Sequence, residues 1–283
     1  MISVQILHTG SVLVSPYLPF NPHNAGRLKV FGITVKNDDK VWLPVSCYLI
    51  KHPKGTILVD TGWDRKISPD GEYDPKAQKL ALNSRWLPVV NKGWLPAGQA
   101  IDEQLAAMGV SITDIDYVVL SHLDCDNVSG LQQVKRAKHI LVSDDEVKST
   151  QGGGFANQVR YRKAFWDKVP LTLFQWNDNQ GPFNRSYDLF GDKTVELINI
   201  PGHSVGQIAV KLLNPETNKY ILLTADGAYS SRCWREMVTP GVFVDKDDQM
   251  RSLEWIRQQS LSPDCVASIA THDPEVEPQT LEV

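Results

Sequence analysis

The chain has 283 residues, of which 42% are hydrophobic and 22% charged, a composition typical of a globular protein with an ample core. Its formal net charge of −4 argues against general nucleic-acid binding, which usually requires a basic excess or stripe. No apolar run approaches the roughly 18 residues of a membrane span. The N-terminus MISVQILHTG predicts a first strand and no signal peptide, so we expect a cytoplasmic protein without membrane contact.

The first third of the chain predicts strands followed by a long connection. Alternating apolar and polar residues predict strands in ISVQILH, LKVFGITVK and VWLPVSCYLIKH, and the apolar run TILVD predicts a buried strand. Residues 63–98 are rich in Pro, Trp and Asn and are too polar for a core. We predict that they form an irregular insertion or lid, with Trp63, Trp86 and Trp94 lining a pocket.

The rest of the chain predicts helices alternating with strands. Helical spacing is found in IDEQLAAMGV, which Gly109 ends, near residues 154–168, and in the amphipathic DKDDQMRSLEWIRQQS. Apolar runs predict strands in YVVL, KHILVS, LTLFQW, VELINI, IAVKLL, YILLTAD and CVASIATHD. These elements predict an α/β fold in one domain over residues 1–283.

A chemical pattern recurs where the predicted strands end. Just past the ends of five apolar runs stand His or Asp residues, at Asp60, His122–Asn127, His203, Asp226 and His272. Strand ends gather at one edge of an α/β sheet, where ligand sites are usually built. We therefore expect these side chains to meet in one cleft.

The segment SHLDCDN is typical of a metal-binding loop, because His122, Asp124 and Asp126 alternate along it and Asn127 follows. Taken alone, it also fits a capped helix start with solvated acids, since Ser and Asp favour such positions. The motifs PGHSVGQ, LTADGAY and ATHD each add a His or Asp at a strand end. Together the four motifs favour a metal site.

These motifs resemble the metallo-β-lactamase superfamily, which has HxHxDH after one strand, a His in a PGH turn, an Asp at a later strand end and a last His near the C-terminus. Within it, the chain is most similar to N-acyl homoserine lactonases. CYLIKHPKGTILVDTGW resembles their early strand pair and DTG turn, ADGAY their D-x-x-Y element, and THD their final G-H-D. The resemblance implies a four-layer αββα sandwich.

The resemblance also implies a centre for one or two divalent transition metals, namely zinc, manganese or iron. One metal would be held by His122, Asp124 and His203, the other by Asp126, Asn127 and His272, with Asp226 bridging them. Two residues depart from HxHxDH, since Asp124 replaces the second His and Asn127 the last. A carboxylate is a competent ligand, whereas a neutral amide oxygen is a poor ligand for zinc. We therefore expect the second metal to bind weakly, and the added charge of Asp124 to favour harder ions.

The function that the resemblance implies is the opening of a lactone ring by metal-bound hydroxide, as in quorum quenching. Tyr229 would donate a hydrogen bond to the carbonyl oxygen, although it equally fits a core aromatic. Asp126 or Asp226 would carry a proton to the leaving alkoxide. Two alternatives stay open: hydrolysis of another ester or thioester, and a non-catalytic binding protein that has lost one metal. We expect a small-molecule lactone or ester as the ligand and, because related lactonases include dimers, a homodimer.

Overall fold

The computed structural model describes the backbone of residues 1–283 and the side chains of all but residues 155 and 156. The strands are β1 (Ser3–Val14), β2 (Val41–His52), β3 (Gly55–Val59), β4 (Lys92–Trp94), β5 (Tyr117–Val119), β6 (His139–Ser143), β7 (Leu171–Phe174), β8 (Ser186–Asp188), β9 (Val195–Asn199), β10 (Ile208–Leu213), β11 (Tyr220–Ala225), β12 (Cys265–Ala270) and β13 (Thr280–Glu282). The helices are α1 (Arg27–Val30), α2 (Pro75–Ala81), α3 (Leu87–Val90), α4 (Ile101–Ala107), α5 (Cys125–Val128), α6 (Leu131–Val134), α7 (Asp144–Thr150), α8 (Phe155–Arg160), α9 (Ser231–Glu236) and α10 (Lys246–Ser260). Among the helices of the described residues, none is both long and apolar enough to cross a bilayer.

Two mixed sheets form the centre of the fold. The first has the strand order β13-β1-β2-β3-β5-β6-β7, with β4 paired to β1, and the second has the order β12-β11-β10-β9-β8. Parallel pairing joins β3, β5, β6 and β7 in the first sheet, and β11 and β12 in the second. Parallel neighbours align their carboxyl ends, so the residues that follow them lie at a common edge.

Three apolar cores hold the layers together. One lies between the sheets, where Ile50 and Ile57 of the first sheet share a core with Leu197 and Val210 of the second. A second core packs α4 and α6 against the outer face of the first sheet. A third packs α9 and α10 against the outer face of the second sheet. The order helix, sheet, sheet, helix confirms the predicted αββα sandwich.

Residues 63–98 are not the irregular, polar segment that their composition predicts. They contain α2, α3 and β4, and β4 pairs antiparallel with β1. Trp63 is fully buried and its Nε1 donates to the Ser11 carbonyl oxygen at 3.2 Å, so it packs in the core and lines no pocket. Leu82 and Leu95 are also fully buried. The average composition of the segment does not reveal these buried side chains, because they are widely spaced in the sequence. The role of residues 63–98 as a lid stays a prediction.

The strand predicted for LKVFGITVK is wrong. Residues Arg27–Val30 form α1, and the Phe31 N–H donates to the Arg27 carbonyl oxygen at 2.9 Å, which is a helical bond. Gly32 follows with a φ of +69°, a left-handed conformation that ends the helix. A four-residue helix is too short to show its own 3.6-residue period, so chance alternation predicted a strand instead.

The turn after β3 is tightly packed around Gly62, and Gly109, which follows α4, provides the loosely packed control. Their φ angles are +65° and +70°, but a Cβ on Gly62 would lie 1.9 Å from Thr9 Oγ1, whereas one on Gly109 would meet nothing within 4 Å. We expect Gly109→Ala to cost about 1–2 kcal/mol from left-handed strain, and Gly62→Ala to cost about 1–3 kcal/mol more from overpacking. Chemical denaturation measures both free energies of unfolding. Equal costs would contradict the tight packing of this turn.

Candidate metal centre

Side chains from the ends of strands in both sheets meet in one cluster. Asp60 follows β3, His122 to Asn127 follow β5, His203 follows β9, Asp226 follows β11 and His272 follows β12. Apart from Asp124, whose side chain is 14% exposed, the His, Asp and Asn side chains of this set are buried. The recurring pattern of strand followed by His or Asp therefore assembles a single site.

Three of these residues have the spacing of a metal site. The candidate ligand atoms of His122, Asp124 and His203 all lie within 4.8 Å of one another. Asp124 Oδ2 is 3.0 Å from His203 Nε2 and 3.5 Å from His122 Nε2. Tetrahedral ligands placed about 2 Å from a metal are separated from each other by about 3.3 Å. The three groups therefore fit around one cation with little movement.

A second group lies beside the first. His272 Nε2 is 3.6 Å from Asp126 Oδ2 and 3.2 Å from Asp226 Oδ2. Asp226 Oδ2 is also 3.8 Å from the Nε2 atoms of both His122 and His203. Asp226 thus lies between the two groups, which is where a ligand shared by two metals would be found.

Asn127 is oriented by Asp60. Its Nδ2 donates to Asp60 Oδ2 at 3.2 Å, and its Oδ1 is buried without a hydrogen-bond partner among the described residues. His122 Nε2 and Asp226 Oδ1 are also buried without a hydrogen-bond partner among the described residues. A buried polar atom without a partner costs about 1–3 kcal/mol. Three such atoms in one cluster fit a centre that binds cations, which would satisfy them.

The electrostatics of the cluster favour positive charge. Burial opposes a charge on His122, but the carboxylates of Asp124 and Asp226 outweigh it and raise its pKa to about 9. Burial is likewise outweighed at His272, where Asp226 and Asp126 raise the pKa to about 9. Metal cations compete with protons for the same imidazole nitrogens. At His203, in contrast, burial and the charge of Arg160 lower the pKa. The carboxylates therefore favour positive charge at His122 and His272, which suits a divalent metal.

The imidazoles are held through their second nitrogen. His122 Nδ1 is 2.9 Å from Ser121 Oγ, and this hydroxyl donates to Asp60 Oδ2 at 2.7 Å. His272 Nδ1 is 2.8 Å from the Pro44 carbonyl oxygen. Such contacts fix the tautomer and the ring orientation of a ligand histidine. They leave the Nε2 atoms to face the cluster.

Arg160 belongs to this cluster although no sequence pattern identifies it. At the end of α8, its Nε donates to Asp124 Oδ1 at 2.6 Å and its Nη2 to Asp124 Oδ2 at 2.9 Å, which makes a bidentate ion pair. Its Nη1 donates to the His203 carbonyl oxygen at 2.8 Å. Burial would raise the pKa of Asp124, but Arg160 and the imidazoles outweigh it and hold the pKa well below its usual range.

Glu146 is a second contributor that the sequence does not reveal. It is fully buried at the start of α7. Its Oε1 accepts a hydrogen bond from the Leu123 N–H at 3.1 Å, and its Oε2 accepts one from the Gly206 N–H at 3.0 Å. One carboxylate therefore ties the loop that carries His122 to the loop that carries His203.

Tyr229 lies against the centre. Its ring stacks on the imidazole of His272, with the centroids 4.9 Å apart and the planes inclined by 22°. It also meets the His203 ring edge-on at 5.8 Å. Burial, together with the nearby carboxylates, raises the pKa of Tyr229 well above its ordinary value. The phenol therefore keeps its proton and can act as a hydrogen-bond donor.

Comparison with known families agrees with this fold and site, in which buried imidazoles and carboxylates lie at the strand ends of an αββα sandwich. The model of the metallo-beta-lactamase superfamily matches residues 41–258. The match covers most of the chain, and this protein belongs to the metallo-beta-lactamase superfamily.

Several relatives are named as lactonases. The N-acyl homoserine lactonase AttM of Rhizobium radiobacter is 30% identical over 233 residues, which cover 82% of this chain and 83% of that protein. An N-acyl homoserine lactonase of Bacillus cereus is 24% identical, over 76% of each chain. A Mycobacterium tuberculosis protein described as a probable metallo-hydrolase is 24% identical, over 89% of this chain and 79% of its own length.

Solved structures share the fold. A variant of AiiA from B. thuringiensis, with N-decanoyl-L-homoserine bound at its active site, has a TM-score of 0.73 at 18% identity and covers 96% of this chain and 94% of its own. The dizinc quorum-quenching lactonase AidC, in complex with a product, has a TM-score of 0.64 at 17% identity, over 97% and 88% of the two chains.

The two bonds that Glu146 accepts predict the result of its neutralisation. We expect Glu146→Gln to lower the free energy of unfolding by about 1–3 kcal/mol, because the amide nitrogen would face a loop N–H as a second donor. Chemical denaturation in the presence of a chelator measures this cost without any contribution from metal. Glu216, which is exposed, provides the control, and Glu216→Gln should stay within about 0.5 kcal/mol. Equally small effects would show that the two loops do not depend on Glu146.

Proposed function

We propose that this protein is a metal-dependent hydrolase that opens a lactone ring, with an N-acyl homoserine lactone as the first candidate substrate. The observation that carries the proposal is the cluster in which His122, Asp124 and His203 lie at metal-ligand spacing, with Tyr229 against it. Membership of the superfamily and relatives named N-acyl homoserine lactonases support the class of reaction.

The proposed centre assigns a role to each residue of the cluster. His122, Asp124 and His203 would hold one zinc, manganese or iron ion. Asp126, Asn127 and His272 would form the second and weaker site, and Asp226 would contribute to both. When bound, a divalent metal acidifies water and polarises a carbonyl group. The chain itself supplies orientation, a hydrogen-bond donor and proton transfer.

Tyr229 is the proposed donor to the carbonyl oxygen, where negative charge develops as the ring is attacked. In comparable sites, removal of one such donor costs about 3 kcal/mol. Asp126 is the proposed proton carrier, because burial raises the pKa of its carboxyl group above the ordinary value, and a carboxyl group with a raised pKa is better able to take and give a proton near neutral pH. Burial would also raise the pKa of Asp226, but His272 and the other imidazoles hold it below its ordinary value. Asp226 is therefore better suited to remain an ionised ligand.

The reaction can be tested on apoprotein that has been prepared with a chelator and reloaded with zinc, manganese or iron. We expect N-acyl homoserine lactones and simple γ- and δ-lactones to be opened, with release of a proton, only after metal is added. Tyr229→Phe should lower kcat/KM by about 10²-fold. Tyr220, whose hydroxyl donates to the Gln259 carbonyl oxygen, gives the matched control, and Tyr220→Phe should leave kcat/KM unchanged.

The other outcomes of this experiment separate the alternatives. Turnover of esters or thioesters without lactones would identify a different hydrolase of the same superfamily. No turnover of lactone, ester or thioester with any of the metals would refute the proposed hydrolase and favour the non-catalytic binding protein. Full activity of Tyr229→Phe would remove the tyrosine from the proposed mechanism.

If the amide of Asn127 is what weakens the second site, replacing it with an imidazole should strengthen metal binding there. Asn127→His should raise the bound metal from about one to about two per chain and increase lactone turnover, because an imidazole nitrogen is a better ligand for zinc than an amide oxygen. Elemental analysis after dialysis at matched metal concentration gives the stoichiometry. The exposed Asn218 serves as the control, and Asn218→His should change neither quantity. Two tightly bound metals in the parent chain, with no gain from Asn127→His, would contradict the proposal.

A further inference from the structure

Asp124 does not enter the cluster as an isolated charge. The superfamily motif HxHxDH has a histidine at this position, so the carboxylate adds one negative charge. The guanidinium of Arg160 lies directly on that carboxylate, with two donor–acceptor distances of 2.6 Å and 2.9 Å. The side chains of Arg160 and Asp124 are only 19% and 14% exposed, so solvent screens this pair far less than a surface ion pair.

We propose that Arg160 is a positioning residue that makes Asp124 equivalent to the histidine of the superfamily motif, by cancelling its charge and fixing its direction. The inference rests on the proposed metal centre. A neutral imidazole contributes no net charge to a metal site, and neither does the pair of Asp124 and Arg160 taken together. The substitution of one ligand is thus balanced by a residue 36 positions away in the sequence.

The hydrogen bonds of Arg160 also fix the direction of the Asp124 carboxylate. Arg160 holds both carboxylate oxygens of Asp124 and leaves Oδ2 within 3.0 Å of His203 Nε2 and 3.5 Å of His122 Nε2. The remaining donor, Nη1, is bonded to the His203 carbonyl oxygen at 2.8 Å. One rigid guanidinium therefore sets the position of one candidate ligand relative to the backbone of another. The Tyr161 ring lies 5.1 Å from the guanidinium carbon and supports it by a cation–π contact.

This arrangement changes what Asp124 is expected to do. Treated as an unpaired charge, Asp124 would make a bound water less acidic and bias the centre towards harder ions than zinc. With Arg160 paired to it, most of that effect is cancelled. The parent protein should therefore show no shift towards manganese. It should bind zinc more tightly than manganese, as sites with imidazole ligands ordinarily do.

A double-mutant cycle tests the pairing. Asp124→His alone leaves the Arg160 charge beside the metal without its partner, so the affinity for zinc should fall about tenfold or more. Adding Arg160→Met should recover most of that loss, because the site then has a third neutral imidazole and no opposing charge. Zinc affinity is measured by competition with a chromogenic chelator. The melting temperature of each apoprotein, measured with excess chelator, should show the same loss and recovery.

Two controls make the cycle decisive. Arg162, whose Nη1 donates to the Gln158 carbonyl oxygen, should give no recovery when Arg162→Met is combined with Asp124→His. If Asp124→His does not fold, Asp124→Asn removes the same charge with little change of shape. Adding Arg160→Met should then raise the zinc affinity above that of Asp124→Asn alone, but not to the parent value, because an amide oxygen is a poor ligand for zinc. A double variant as weak as the Asp124 variant alone, or weaker, would overturn the inference. If the parent binds no divalent metal, the metal centre itself is refuted, and the apoprotein melting temperatures still decide whether the two charges are paired.

Discussion

Four carboxylates lie together in a largely buried cluster, and the fold must compensate their negative charge. Asp60, Asp124, Asp126 and Asp226 surround three imidazoles at the edge of both sheets. Burial of an ionised carboxylate is costly unless positive charge and hydrogen-bond donors compensate it. The protein supplies the imidazoles, the guanidinium of Arg160 and the hydroxyl and amide donors of Ser121 and Asn127. In the proposed enzyme, a divalent cation supplies the remaining positive charge.

The sandwich explains how residues that are distant in sequence can meet this constraint. Each sheet brings strand ends to a common edge, and the core between the sheets fixes how those two edges face each other. Loops alone would not hold ligand atoms to a few tenths of an ångström. Glu146 ties two of the loops together, and the Asp60 and Ser121 side chains hold the ring of His122. The site is therefore supported by groups that need not touch a substrate.

The sequence alone predicts which side chains meet, because five of its apolar runs end at or shortly before a residue that enters the site. His203 and His272 were identified from strand and motif alone, without any knowledge of which strands are neighbours. Arg160 and Glu146 could not be found in this way, since their contacts join residues 36 and 60 positions apart and an ordinary arginine or glutamate in a helix has no local signature. The burial of Trp63 is not predicted for a related reason, because the carbonyl group that its indole N–H bonds, on Ser11, lies outside its own segment.

We propose that the cluster is a metal centre whose first metal would be held by His122, Asp124 and His203. Crystals of the parent protein grown with zinc, measured on both sides of the zinc absorption edge, test it most directly. We expect a strong anomalous peak about 2.0–2.2 Å from His122 Nε2, Asp124 Oδ2 and His203 Nε2, with a weaker peak or none beside Asp126 and His272. No peak at the first position, or a peak there without Asp124 as a ligand, would contradict it.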